Sequence, residues 1–215
     1  MNTKEQRLKL FSKIDLYPVI SSEFCNGRPA LYVLEQIAEG GAKIVQLREK
    51  NLSPSELYEL ALKYRKICSK YKMLLIMNDH TDIALAVNAD GVHLGQDDMP
   101  MEEAIKIAPD LIIGNSTHSL SEALDAQARG ADYINIGPIY ATQTKSVPCP
   151  LLGIKTIESI SPHLKIPFTV MGGIKEKHLP ELIRKGARKI AMVTEITASE
   201  NIKEKVFLLR KYFQA

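Results

Sequence analysis

Gly40-Gly41-Ala42-Lys43-Ile44-Val45-Gln46-Leu47-Arg48-Glu49-Lys50 is the stretch from which the rest of the chain can be read. Its two glycines break the preceding segment, and residues 42–48 then read as a buried strand. Strand side chains alternate between faces, so Ile44, Gln46, Arg48 and Lys50 share one side while Val45 and Leu47 share the other. Val45 and Leu47 can pack against helices. The opposite face carries an amide, a guanidinium and an ammonium, and desolvating two cations without a partner is costly. An anion is the natural guest, and phosphate or diphosphate best matches the planar fork of an arginine.

Runs of this kind recur from end to end. Short apolar stretches at 16–21, 42–48, 73–78, 91–95, 111–116, 133–137, 167–172 and 189–194 alternate with amphipathic segments, giving about eight strand candidates. The helical segments carry start signals. Ser53-Pro54-Ser55-Glu56 reads as a capping box with proline at the first helical position, and Ser119-Leu120-Ser121-Glu122 as a second box. Gly40-Gly41, Gly130 and Gly186 fall where helices should stop. Strands alternating with helices imply a parallel sheet with right-handed crossovers. Eight such units in 215 residues fit a compact (β/α)₈ TIM barrel better than the competing doubly wound open sheet. An extra short helix near residues 4–13 precedes the first strand, and no linker divides the chain, so residues 1–215 are expected to form one domain.

Composition narrows the function classes. A net charge of +3 with a pI near 8.6 is too weakly basic to argue for nucleic acid or a membrane surface. No apolar stretch is long enough to span a bilayer, and the N-terminus lacks a signal-peptide core. Cys25, Cys68 and Cys149 are odd in number and match no metal-ligand spacing, which suits reduced structural thiols in the cytoplasm. Small-molecule partners are therefore expected, with self-assembly of the chain left open.

In a barrel of this kind the strand C-termini form the active rim. The second strand brings Gln46, Arg48 and Lys50 there, the third Asn78-Asp79, and the fourth runs from Gly91 through His93 to Asp97-Asp98. The fifth ends in Gly114-Asn115-Ser116-Thr117-His118. The sixth leads into Gly137-Pro138-Ile139-Tyr140-Ala141-Thr142-Gln143-Thr144-Lys145, the seventh ends at Met171-Gly172-Gly173-Ile174, and the eighth at Val193-Thr194-Glu195. Residues 138–152 make a longer connection than is usual between strand and helix, which suggests a functional loop over the barrel mouth. Cations, carboxylates and hydroxyls on one rim suit a metal–diphosphate site. No Ser-His or Cys-His spacing suggests a nucleophile–base pair, and His93 and His118 read as packed or partly exposed.

This ordered series resembles the thiamine-phosphate synthase family, whose pattern runs Q-L-R-x-K, N-D, G-V-H-L-G-Q-x-D, G-x-S-x-H, G-P-I-x-P-T-x-T-K, G-G-I and V-S-x-I. The resemblance spans nearly the whole chain from Leu16, and it is the order of the fragments that is specific. It implies a transferase that joins 4-amino-2-methyl-5-(diphosphooxymethyl)pyrimidine to a thiazole phosphate, carboxylated or not, and releases diphosphate. By the same resemblance Gln46, Leu47, Arg48, Glu49, Lys50, Asn78, Ser116 and Lys145 hold the pyrimidine diphosphate. Arg48, Lys50 and Lys145 are expected to stabilise the leaving group. Thr142, Gln143, Thr144, Gly173, Val193 and Thr194 hold the thiazole phosphate, and Asp79 and Asp98 ligate one Mg²⁺ per subunit. An N-cap for a helix starting near Met99 is the competing reading of Asp98.

The chain also departs from the family pattern. Ala141 stands where proline is usual, Thr194 replaces serine, Met171 is bulky, and Glu195 replaces a small residue beside the expected phosphate pocket. Glu195 is therefore expected to point outward. Two other readings compete. The thiazole tautomerase branch uses a histidine where this chain has Pro138. A non-catalytic phosphate-binding paralogue would have little need of Arg48, Lys50, Asp79, Asp98 and Lys145 together.

Overall fold

The computed structural model describes residues 3–142 and 151–214. Eight parallel strands close into a barrel in chain order: β1 (Leu16–Ile20), β2 (Ile44–Leu47), β3 (Leu74–Asn78), β4 (Gly91–Leu94), β5 (Ile112–Thr117), β6 (Tyr133–Ile136), β7 (Phe168–Val170) and β8 (Ile190–Met192). The ring is sealed where Leu16, Tyr17 and Pro18 of β1 pair with Ile190, Ala191 and Met192 of β8. Around it lie α1 (Lys4–Phe11), α2 (Ala30–Glu39), α3 (Pro54–Tyr71), α4 (Thr81–Ala86), α5 (Met101–Ile107), α6 (Leu120–Ala128), α7 (Lys155–Ile160), α8 (Leu179–Arg184), α9 (Thr194–Thr197) and α10 (Ile202–Lys211). No helix among the described residues is long and apolar enough to cross a membrane. All eight runs expected from the sequence became strands, so the open-sheet alternative is set aside.

The alternation read from β2 holds throughout. Val45 and Leu47 join the apolar layer between barrel and helices, whereas Ile44 points into the barrel. The interior is a second, smaller cluster that includes Tyr17, Val19, Ile76, Ile112 and Tyr133. Helix α1 closes the N-terminal end of the barrel: Phe11 packs on Tyr133 with ring centroids 4.5 Å apart. It is tied down by Lys4 to Asp132 at 2.9 Å and by Arg7 Nη1 donating to the Asp110 carbonyl at 2.5 Å. That end is thus plugged, and the open C-terminal end is left for chemistry.

Gly114 on β5 makes room for this interior. A Cβ there would sit 2.1 Å from the Tyr133 ring. Gly114→Ala is expected to destabilise the protein by about 1–3 kcal/mol through overpacking. The check is a lower urea midpoint at unchanged slope; an unaltered midpoint would mean the ring has slack.

Helix starts follow the sequence with two differences. Ser53 and Glu56 form the reciprocal box at α3, with Pro54 at its first position. At α6 only half of the expected box forms: Ser119 caps the Glu122 N–H at 3.1 Å, but the Glu122 carboxylate accepts from the His118 N–H at 2.9 Å instead. Helix α5 starts after Pro100, not near Met99, so Asp98 is released from the capping role considered for it. Cys25 and Cys68 are buried free thiols; Cys149 lies outside the described residues.

Candidate active site

The strand C-termini surround a cavity of about 380 Å³, within the range of small-molecule sites. Strand β2 and its continuation supply Gln46, Arg48 and Lys50; β3 supplies Asn78 and Asp79; the loop after β4 supplies Asp98; and β5 supplies Ser116. A recess of about 30 Å³ between β7 and β8 is lined by Thr142, Gly173, Val193 and Thr194, and it shares Thr142, Met171, Gly172 and Val193 with the main cavity. The residues expected at the two substrates therefore fall into two adjoining spaces. Leu47 and Glu49 send their side chains elsewhere. Leu47 packs into the helix-facing core, and the Glu49 carboxylate accepts from the Ser22 N–H at 2.9 Å and hydroxyl at 2.6 Å. Gln143, Thr144 and Lys145 lie outside the described residues.

Arg48 is the cation that stands out. Its backbone N–H continues the β1–β2 ladder to the Ile20 carbonyl at 2.9 Å, and this fixes where its side chain leaves the strand. The guanidinium lines the cavity half-buried, with no hydrogen bond or ion pair to any described residue. An arginine so placed is complementary to an anionic oxygen cluster.

The neighbouring strands β3 and β4 bring two carboxylates to the same cavity. Asp79 follows β3 in a left-handed conformation, φ +65°, that few residue types adopt and aspartate tolerates. Its N–H is held by the His93 carbonyl at 2.9 Å, and its carboxylate is in contact with the Lys50 ammonium. Asp98 closes a turn by accepting from the Gly95 N–H at 2.6 Å. Burial, followed by hydrogen-bond contact with the Asp79 carboxyl, pushes the Asp98 carboxyl above its ordinary range; the Gly95 N–H and the Lys50 charge pull it back. Two desolvated carboxylates facing each other are what a divalent cation would satisfy, so the residues present fit one. Among the described residues no cluster of three His, Cys, Asp or Glu side chains offers a fuller cage. Mg²⁺ does not require one, since it binds through one or two carboxylates and completes its shell with water and phosphate oxygens.

Glu195 is turned away from both spaces. Its carboxylate lies 3.4 Å from both Lys175 Nζ and Lys205 Nζ. Lys175 also donates to the Thr194 hydroxyl at 3.3 Å, which puts an unanticipated cation beside the recess. Gly173, with φ +60°, serves packing: a Cβ there would lie 2.2 Å from the Ala141 carbonyl oxygen, so glycine lets the segment leading to Thr142 sit against β7.

Beneath the cavity runs a buried polar chain that the sequence reading did not identify. Gln46 Nε2 donates to the Tyr17 hydroxyl at 3.1 Å, and the Tyr17 and Tyr133 hydroxyls are 3.1 Å apart. Tyr133 lies 2.9 Å from His93 Nδ1, and His93 Nε2 lies 2.9 Å from Ser116 Oγ. Burial raises both phenols above their ordinary range, so each keeps its proton. His93 is thus packed, as read, but not idle. The clue available was period-two alternation, which puts Tyr133 and Asn135 on the inward face and Ile134 and Ile136 on the outward one.

The family model for thiamine monophosphate synthase matches residues 16–196. A thiamine-phosphate synthase of Caldicellulosiruptor bescii is 42% identical over 99% of this chain and 98% of its own. One from Shouchella clausii is 43% identical over 87% of this chain and 90% of its own. Among solved structures, a thiamine phosphate pyrophosphorylase from Pyrococcus furiosus superposes with a TM-score of 0.86 at 35% identity, covering 97% of each chain.

Proposed function

The chain belongs to the thiamine monophosphate synthase family of transferases, and from that premise we propose that it couples 4-amino-2-methyl-5-(diphosphooxymethyl)pyrimidine to 4-methyl-5-(2-phosphoethyl)thiazole or its carboxylated form. The bond from the pyrimidine methylene carbon to the diphosphate oxygen breaks, and that oxygen keeps the electron pair. The thiazole nitrogen lone pair forms the new bond to the same carbon. No acid or base is required for the exchange, so the Ser116–His93 contact at 2.9 Å is given no proton-transfer role in it.

The observation that carries this reading is the Arg48 guanidinium, without a partner among the described residues, lining one cavity with the Asp79–Asp98 pair. Arg48 forks two diphosphate oxygens, while Lys50 adds a mobile charge from the strand end. Lys145 is assigned the same task from the family motif. The Asp79 and Asp98 carboxylates would hold one Mg²⁺ per subunit, which when bound supplies positive charge to the departing diphosphate. Charge accumulates on that group as the bond lengthens, so groups placed around it act mainly in the transition state. Gln46, Asn78 and Ser116 orient the pyrimidine. Thr142, Gly173, Val193 and Thr194, with Gln143 and Thr144, orient the thiazole phosphate in the adjoining recess. Holding both phosphates lets the nitrogen and the methylene meet at a defined distance. The buried thiols of Cys25 and Cys68 accord with a cytoplasmic setting.

The direct test mixes both substrates with Mg²⁺ and follows thiamine phosphate by fluorescence after oxidation. Product and diphosphate are expected together, and chelation with EDTA is expected to stop both. Thiazole isomerisation without coupling would indicate the tautomerase branch, and binding without turnover a non-catalytic paralogue.

A further inference from the structure

With the Gln46 amide placed as it is, Nε2 on the Tyr17 hydroxyl, the buried chain from Gln46 to Ser116 has one direction that satisfies every hydroxyl in it. Gln46 Nε2 is a donor, so the Tyr17 oxygen accepts from it. The Tyr17 proton then has one remaining neighbour among the described residues, the Tyr133 oxygen, because Tyr17 is buried and makes no other hydrogen bond to them. Tyr133, having accepted, passes its own proton to His93 Nδ1. His93 therefore carries hydrogen on Nε2 and donates to Ser116 Oγ. The Ser116 proton is left to point into the cavity that this residue lines. In the reverse sense the Tyr17 O–H would face the Gln46 N–H with no acceptor, a buried unsatisfied donor.

We infer that Tyr17, Tyr133 and His93 are positioning residues whose one-way hydrogen-bond chain presents Gln46 to the ligand as a fixed acceptor and Ser116 as a fixed donor. An amide whose nitrogen is tethered below turns its carbonyl oxygen to the ligand. It then favours a ring bearing an amino group over the same ring bearing an oxo group, because the oxo oxygen would meet another acceptor. The Ser116 hydroxyl complements a ring-nitrogen lone pair or an anionic oxygen. This deepens the reading above and rests on it: the chain selects the amino substituent of the pyrimidine substrate. Strands β1, β2, β4, β5 and β6 all contribute, so the polarity is set by the closed barrel and not by any one loop.

Two measurements decide it. In ¹⁵N-histidine-labelled protein without substrates, His93, identified by comparison with His93→Gln, is expected to show a hydrogen-bearing Nε2 and a bare Nδ1. The opposite tautomer overturns the inference. Next, Tyr17→Phe frees the Gln46 amide to turn over. Its preference in kcat/KM for the amino substrate over the 4-oxo analogue is expected to fall about tenfold, one hydrogen bond's worth. The change is expected in the KM for the pyrimidine, with the KM for the thiazole phosphate unchanged. A folded Tyr17→Phe with undiminished preference overturns the inference. If Tyr17→Phe does not fold, the wild-type tautomer still decides. If the wild type fails to couple the amino substrate, the functional reading falls, while the substrate-free spectrum still settles the direction of the chain.

Discussion

Arg48→Ala is expected to lower turnover by roughly 10²- to 10³-fold, the usual cost of removing one preorganised group that stabilises developing negative charge. The barrel is expected to survive, because Arg48 holds its strand through its backbone N–H and its guanidinium bonds to no described residue. That combination separates function from stability. A side chain with no partner among the described residues leaves none of them unpaired when removed, so a lower melting temperature would itself contradict the assignment. Arg48→Lys refines the test: it keeps the charge but loses the planar fork, and partial activity is expected. The loss belongs in kcat as well as in the KM for the pyrimidine diphosphate, since charge on the leaving group grows as the bond breaks. Lys145→Ala is expected to behave similarly from its place in the family motif. Unimpaired turnover in both folded variants would take these cations out of the reaction.

The fold and the rim were legible in sequence for different reasons. The eight strands could be read because each is a short apolar run, and several begin just after a glycine stop such as Gly130 or Gly186. Gln46 and Arg48 could be read because polar residues on one face of an otherwise apolar strand need a destination. Asp98 was ambiguous because an aspartate just before an expected helix start near Met99 resembles a cap; what separates the readings is the Gly95 N–H it accepts from, a contact made within the loop. The chain beneath the cavity was not legible. Tyr17 and Tyr133 are 116 residues apart, and each alone looks like an ordinary core aromatic. Only closure of the ring, which sets β1 beside β2 and β8, and the space left by Gly114 bring their hydroxyls together. Nor does any sequence pattern pair Lys175 with Thr194 and Glu195, which meet only because β7 and β8 are neighbours.

The second large effect is expected from Asp79→Asn, and it is expected in metal dependence more than in folding. Asparagine tolerates the left-handed backbone at this position as well as aspartate does, so the φ of +65° need not change. What changes is one negative charge beside Asp98 and Lys50. Of the two carboxylates that would hold Mg²⁺, one becomes a neutral amide. Loss of a mere outer-shell partner costs about 10–100-fold in metal affinity, and a direct ligand should cost at least as much. The Mg²⁺ concentration for half-maximal turnover is therefore expected to rise by roughly 10–100-fold or more, with the residual rate at saturating metal falling less. Mn²⁺ titration followed by electron paramagnetic resonance gives an independent readout that does not depend on turnover. Lys50 supplies the control. It contacts the Asp79 carboxylate without being able to ligate a cation, so Lys50→Met is expected to spare Mn²⁺ affinity while impairing turnover. Matching titrations for Asp79→Asn and the wild type would exclude Asp79 as a ligand and leave its contact with Lys50 as its role.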